Sequence, residues 1–344
     1  MNNDFFLNYA LQHGFGDIHF KVDESIGFCA IIAIHNTHRG PALGGCRFIE
    51  YPDYSTAIYD AMRLARGMSY KNASVNLPLG GGKSVIIKPK GAFDRALYFA
   101  KFGEFVEELG GRYITALDSG TLLSDMDIIA EKTSYVASLS QHHGDPSPST
   151  AQGVLQGIKA AVAYKLNKKS LAGLHIAIQG LGHVGYDLAC HLKALGASLT
   201  VADINPLQVE KAIRELGAKS LPTDIIHTVP CDVFSPCALG GVLDENNINS
   251  LQTTIVAGAA NNQLAHAYNG QQLHNKGILY APDYIINAGG VIFAANKYFK
   301  HSASELDHQI NAIPHSLTEI FKRSALENKP TSEIADIIAE EKLK

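Results

Sequence analysis

Three side chains outline the chemistry open to this sequence: Lys71 in "MSYKNAS", Lys83 in "LPLGGGKSVI" and Asp118 in "YITALDSGT". The Lys83 segment contains GGGKS, the tail of a phosphate-binding loop, but the glycine that opens such a loop would have to stand where the chain has Leu77. Lys83 therefore needs another reason. Two lysines near one pocket can divide the work. One stays a cation and binds a substrate carboxylate; the other, desolvated and repelled by its neighbour, loses its proton more easily and serves as a base near neutral pH. The glycines before Lys83, having no Cβ atoms, would let a small substrate touch the backbone amides. Taken singly, either lysine reads as a solvated surface charge. Asp118, where a strand gives way to Ser119 and Gly120, reads alone as a turn cap.

A second constellation lies about a hundred residues downstream. Gly180, Leu181, Gly182, His183, Val184 and Gly185 spell G-L-G-H-V-G directly after the apolar run "LHIAIQ" and before the helical pattern "YDLACHLKAL". The first glycine permits a tight turn, the second lets the backbone approach a pyrophosphate, and the third lets the helix pack close to the strand, its N-terminal amides facing the anion. Asp203 ends "LTVAD" at the distance where a carboxylate accepts hydrogen bonds from a ribose 2′-hydroxyl. NAD is favoured over NADP, because a 2′-phosphate would meet like charge at Asp203 and Ile204, Asn205 and Pro206 add no cation.

The elements that must position these groups follow from the patterning. At 344 residues the chain is about twice an ordinary domain, which predicts two domains and an enzyme-sized core. The first third reads as a helical start, the strands "GFCAIIAIHN" and "GCRFIEY", the helix "STAIYDAMRLARGM", a strand "KSVIIKP" beginning at Lys83, the helix "FDRALYFAKFGEFVEEL" and the strand "RYITALD". The stretch "HHGDPSPST" collects terminators of regular structure, and Thr150 can cap the helix that follows. The boundary falls there, with a substrate domain over 1–146 and an NAD-binding domain over 147–326. Beyond it, alternating strands and helices have the order of a doubly wound Rossmann sheet. Ser302 and Glu305 form a capping-box pattern that opens a helical tail. Lys83 then belongs to the first domain and would face the cofactor across a cleft.

Composition narrows the partners. Apolar residues at 46%, charged residues at 18% and a net charge of −4 describe a globular protein without a polyanion partner. The N-terminus lacks a secretory pattern and no run is apolar enough to span a bilayer, so no membrane association and a cytoplasmic location are expected. The five cysteines are odd in number and scattered, which fits reduced thiols. No metal is expected: Cys231 and Cys237 are not at zinc spacing, and His142 and His143 have no cysteine near them in sequence.

The motifs "GPALGGCR", "RLARGMSYKNA", "LPLGGGKSVI", "YITALDSGT", "GDPSPSTAQGV", "QGLGHVG", "CDVFSPCALGG", "AGAANNQL" and "APDYIINAGGVI" together resemble the glutamate/leucine/phenylalanine/valine dehydrogenase family, in the expected order from about Ile31 to Ile292. The resemblance implies an α/β protein whose N-terminal domain binds substrate and forms homo-oligomers, and whose tail from about 327 to 344 can return to that domain. It implies NAD-dependent, reversible oxidative deamination of an L-amino acid to a 2-oxo acid and ammonia. Lys71 would hold the α-carboxylate, helped by the backbone at Gly44 and Gly45; Asp118 would exchange a proton with the amino group; Lys83 would activate water. Asn261 matches a substrate position, and Thr150 and Asn287 match cofactor positions. Leu43 stands where glutamate-acting members carry a lysine, and an aliphatic residue there leaves a second carboxylate unpaired. Ala116 and Val291 resemble the leucine-type pocket, with Met68 as an adaptable wall. Branched-chain substrates are expected, with phenylalanine as the competitor, since one methylene changes binding by only about 1–3 kcal/mol. A catalytically silent NAD(H)-binding regulator would be expected to lack Lys83 or Asp118; both are present.

Overall fold

The computed structural model describes residues 5–140 and 145–344, so His142 and His143 lie outside the described residues. The chain divides into two compact units, Met1–Gly144 with Ala294–Ser302 and Ala339–Lys344, and Asp145–Phe293 with Ala303–Ile338.

The first unit runs α1 (Phe5–His13), β1 (Asp17–Asp23), β2 (Phe28–Asn36), β3 (Ala42–Ile49), α2 (Tyr54–Ser74), β4 (Gly80–Ile87), α3 (Arg95–Glu108), β5 (Tyr113–Leu117) and α4 (Leu123–Ala130). Its sheet has the order β1-β2-β4-β3-β5. β1 and β4 flank β2 antiparallel, while β4, β3 and β5 run parallel. Alternation along each strand sorts the side chains between two faces. Ile32, Cys46, Phe48 and Ile86 pack against Phe99 and Phe102 of α3 and Met126 of α4. Their alternates Ile31, Ala33 and Val85 pack against Ala57, Ala61, Met62 and Ala65, which recur at helical spacing along α2. Each large side chain buried this way contributes about 1.5–3 kcal/mol. Asp53 starts α2, its carboxylate accepting from the Thr56 amide at 2.7 Å.

Two elements differ from expectation. Asp17–Asp23 forms an edge strand rather than a continuation of the helical start; Ile18, Phe20 and Val22 alternate with polar residues as a strand requires, and Phe20 and Val22 are exposed. β4 starts at Gly80, not at Lys83. A Cβ on Gly80 would overlap the Asn36 carbonyl, one on Gly81 would overlap Ser69, and one on Gly82 would lie 2.8 Å from the Tyr113 ring. The space that those glycines leave is filled by the protein's own atoms, which is how glycine enters a strand interior.

The second unit carries α5 (Ser147–Leu166), β6 (His175–Gln179), α6 (His183–Ala194), β7 (Ser198–Ala202), α7 (Pro206–Leu216), β8 (Lys219–Ser220), β9 (Cys231–Pro236), α8 (Glu245–Ser250), β10 (Thr253–Val256), α9 (Tyr268–Asn275), β11 (Leu279–Tyr280) and α10 (Asp283–Ile286). Helices α11 (Gly289–Tyr298), α12 (Ala303–Ile310), α13 (Ala312–Glu327) and α14 (Thr331–Leu343) complete the chain. The sheet is parallel throughout, in the order β11-β10-β9-β6-β7-β8. The strand order reverses between β6 and β9, which is where doubly wound sheets bind ligands. Thr150 does not cap α5. The helix begins at Ser147, with a proline in its first turn, and the Thr150 hydroxyl donates to the Pro146 carbonyl at 3.0 Å. No helix among the described residues is long and apolar enough to cross a membrane.

Candidate active site

Lys83 lies on β4 and Asp118 just beyond β5, the two strands that flank β3. Pairing of Leu43 with Gly81 and of Cys46 with Ser84 sets Gly45 level with Lys83, and on its other side Gly45 faces Ala116. By alternation Gly45, Lys83, Ala116 and Asp118 all fall on the face covered by α2. A Cβ on Gly45 would lie 2.7 Å from the Asp118 Cβ and 3.0 Å from the Lys83 Nζ. The missing side chain on the middle strand is thus what allows the outer two to meet. They do so at 2.5 Å, Lys83 Nζ to Asp118 Oδ2, with Lys83 only 6% exposed. The Asp118 amide donates to Thr121 Oγ1 at 2.9 Å and that hydroxyl donates back to the Asp118 carbonyl at 2.6 Å, fixing the turn that presents the carboxylate.

Burial pulls the Lys83 ammonium below the usual lysine range; Asp118 opposes the shift and Arg47 adds to it. Burial pushes the Asp118 carboxyl up, but Lys83 and Arg47 together overcome it and hold it below the ordinary carboxylate range. Repulsion on Lys83 was expected from Lys71; the cation that shares Asp118 with Lys83 is Arg47, whose Nε lies 3.3 Å from the same Oδ2. Lys71 sits half-buried in the last turn of α2, one turn on from Met68. Leu43 is buried on β3. A Cβ on Gly44 would overlap the Gly82 carbonyl, and the Gly44 carbonyl accepts from Tyr113 Oη at 2.8 Å. Such a cluster can hold an anion, keep a carboxylate ionised and move a proton.

In the second unit, Gly180 has φ +100° and a Cβ there would meet Ala238 at 2.8 Å, while a Cβ on Gly185 would overlap the Gly180 carbonyl. A Cβ on Gly182 would meet nothing within 4 Å. Protein packing accounts for two of the three glycines and leaves open space over the third, at the amide end of α6, the end of a helix that favours an anion. Asp203 accepts from the Leu181 amide at 2.5 Å through Oδ2 and from the Asn205 amide at 2.7 Å through Oδ1. Leu181 is buried, Val184 half-buried and the His183 side chain exposed. Asn287 Nδ2 donates to Asn261 Oδ1 at 2.8 Å and to the Ala259 carbonyl at 3.1 Å. A Cβ on Gly290, next to Val291, would lie 3.0 Å from the Thr150 hydroxyl. Thr150, Asn261, Asn287 and Val291 all belong to this second unit. Among the described residues no group of His, Cys, Asp and Glu could hold a metal ion.

Arg47, Asp60, Tyr51 and Tyr113 were not anticipated. Arg47 was within reach of the sequence, since it stands two residues beyond Gly45 on one strand and so shares its face.

A parallel sheet with a glycine turn and a terminal carboxylate, joined to a unit holding a buried lysine–aspartate pair, describes a dinucleotide-dependent oxidoreductase. The family model "Glu/Leu/Phe/Val dehydrogenase, dimerisation domain" matches residues 16–135, and "Glutamate/Leucine/Phenylalanine/Valine dehydrogenase" matches 205–343. The chain is 43% identical to the leucine dehydrogenase of Bacillus subtilis over 98% of its own length and 93% of that protein. It is 38% identical to the valine dehydrogenase of Streptomyces virginiae, over 98% and 96%. The crystal structure of L-tryptophan dehydrogenase from Nostoc punctiforme superposes with a TM-score of 0.90 at 38% identity, covering 98% of each chain. The chain belongs to the Glu/Leu/Phe/Val dehydrogenase family. It is an amino acid dehydrogenase, an oxidoreductase working with a nicotinamide dinucleotide.

Proposed function

We propose that the chain catalyses NAD-dependent, reversible oxidative deamination of the branched-chain L-amino acids leucine, valine and isoleucine to 2-oxo acids and ammonia. The buried contact of Lys83 with Asp118 at 2.5 Å carries the reading. When bound, the nicotinamide supplies the hydride acceptor. Gly180, Leu181, Gly182, His183, Val184, Gly185 and Asp203 would hold the coenzyme, with Thr150 and Asn287 as further cofactor residues. Lys71 holds the α-carboxylate through a charge-assisted contact. Asp118 takes a proton from the α-ammonium group, because hydride leaves Cα only once the amine is neutral. Lys83, its own proton lost, activates the water that attacks the imino acid. Leu43, Met68 and Ala116 give the first unit's substrate residues an apolar character, against which a side-chain carboxylate would be unpaired; Val291 and Asn261, in the second unit, are assigned to the substrate by the family's motifs. Asp203 favours NAD over NADP by charge.

Rates of NAD reduction at alkaline pH with leucine, valine, isoleucine, phenylalanine and tryptophan test the reading. The highest kcat/KM is expected among the first three. A second reading, an aromatic substrate, draws on the 42% identity with L-tryptophan dehydrogenase of Nostoc punctiforme, and a clear preference for phenylalanine or tryptophan would establish it. Lys83→Ala is expected to abolish turnover while NADH binding stays nearly unchanged. Lys71→Ala should mainly raise the amino-acid KM.

The edge position of β1, with Phe20 55% and Val22 62% exposed, supports self-association through the first unit into a homo-oligomer. The five free thiols fit a cytoplasmic location.

A further inference from the structure

Arg47 stands between two carboxylates. Its Nε lies 3.3 Å from Asp118 Oδ2 and its Nη1 2.8 Å from Asp60 Oδ2. Asp60, on α2, is itself fixed: Tyr51 Oη donates to its Oδ2 at 2.7 Å and Arg63 Nη2 to its Oδ1 at 3.1 Å. The Arg47 side chain is 21% exposed and that of Asp60 15%, so the contacts are screened less than surface pairs are. A planar fork can span two carboxylates in one orientation, which an ammonium cannot do. Lys83 and Arg47 converge on the same oxygen of Asp118, and neither ion pair uses Oδ1. We propose that Arg47, anchored by Asp60, is a positioning residue that pins Asp118 through Oδ2 and so presents Oδ1 to the amino group of the substrate. This rests on the reading that Asp118 and Lys83 handle the protons of the deamination.

The charges of the cluster agree with that role. Arg47, Arg63 and Lys83 face Asp60 and Asp118, three cations against two carboxylates. Loss of the Lys83 proton brings the cluster to balance. The other titratable groups facing it are neutral at working pH: burial pushes the Cys46 thiol up to about 12 and raises the Tyr113 and Tyr51 phenols. Without Arg47, Asp118 would lose one of its two cations and Lys83 would lose a repelling neighbour. Both groups would then hold their protons more tightly.

The test compares kcat against pH, amino-acid KM and NADH binding for the wild type, Arg47→Met and Arg47→Lys, with Asp118→Asn and Lys83→Ala alongside. Arg47→Met is expected to lower kcat about a hundredfold and to move the rising limb of the profile, set by Lys83, upward by about one pH unit, with NADH binding unchanged. Arg47→Lys keeps the charge, so its limb should stay near the wild-type position while only part of kcat returns. A limb unmoved in Arg47→Met overturns the proposal whatever the rate, since a purely structural role lowers the active fraction without shifting the titration. Should that variant fail to fold, Asp60→Asn releases the anchor and keeps the cation; kcat should fall with the limb in place, and an unchanged kcat overturns the proposal. Full turnover in Asp118→Asn or Lys83→Ala would instead locate the failure in the proton-transfer reading.

Discussion

Gly45 contributes to the site by what it lacks. Its neighbours Lys83 and Asp118 occupy the space a methyl group would need, so Gly45→Ala must push the pair apart. We expect kcat to fall by about a hundredfold with the NADH dissociation constant unchanged; steady-state kinetics with a fluorescence titration measure both, and a wild-type kcat would refute the spacing role. Lys83 also has a pH signature. A base must be deprotonated to act, so the deamination kcat rises with pH, and burial sets the limb below the 10.4 or so of a free lysine side chain. A limb at or above that value would remove burial as the cause. The glycine turn was legible from its place between strand and helix with Asp203 following, whereas Lys83 and Asp118, each of which alone reads as a surface charge or a turn cap, were legible only through the ordered motifs around them. Arg47 was less so. Its meaning depends on the register of β3 against β5 and on a carboxylate delivered by α2, neither of which local pattern reveals.

At the scale of elements, the helix bearing Lys71 is locked to the sheet through His35 on β2. The His13 carbonyl, 2.9 Å away, can only accept, so His35 Nε2 carries the hydrogen and Nδ1 accepts from Ser69 Oγ at 2.8 Å. Ser69 in turn packs where a Gly81 side chain would stand. Burial, aided by Arg66 and His13 and opposed by the His13 carbonyl bond and Glu340, pulls the His35 pKa to about 4. The unfolded chain therefore takes up a proton between pH 6.5 and about 4 that the folded chain refuses. Stability is full above 6.5 and falls as the pH drops through this window, by about 3 kcal/mol. Denaturant melts at pH 7 and pH 5 should show a smaller loss in His35→Gln than in the wild type; equal losses would dismiss the lock. Most long elements were legible from period alone. β1 was legible as well, from the alternation of Ile18, Phe20 and Val22 with polar residues, although the helical start was read through it; the start of β4 was not, because three glycines carry no periodicity.

For the whole molecule, the two-unit α/β plan and the family were both readable from ordered motifs, and both are borne out. The family resemblance implies that the tail from about 327 can return to the first unit, but not that Ala294–Ser302 belongs there too. Ala339–Lys344 belongs to the first unit, although α14 begins in the second. The Leu343 carbonyl accepts from His38 Nδ1 at 2.9 Å, and Glu340 Oε1 accepts from Tyr70 Oη at 2.5 Å, beside Lys71 in α2. Deleting 339–344 should lower the melting midpoint by about 4 °C or more and raise the amino-acid KM; thermal melts and kinetics that match the full chain would deny the brace.

The same arrangement bears on how the protein is made. A ribosome adds about 5–20 residues per second, and early domains commonly fold while later ones are still being translated. Here the amino-terminal part cannot do so completely, because the pieces that finish it, Ala294–Ser302 and then Ala339–Lys344, are synthesised only after most of the second unit. Until Ala339–Lys344 emerges, the nascent chain holds Tyr70 and His38 without Glu340 and Leu343.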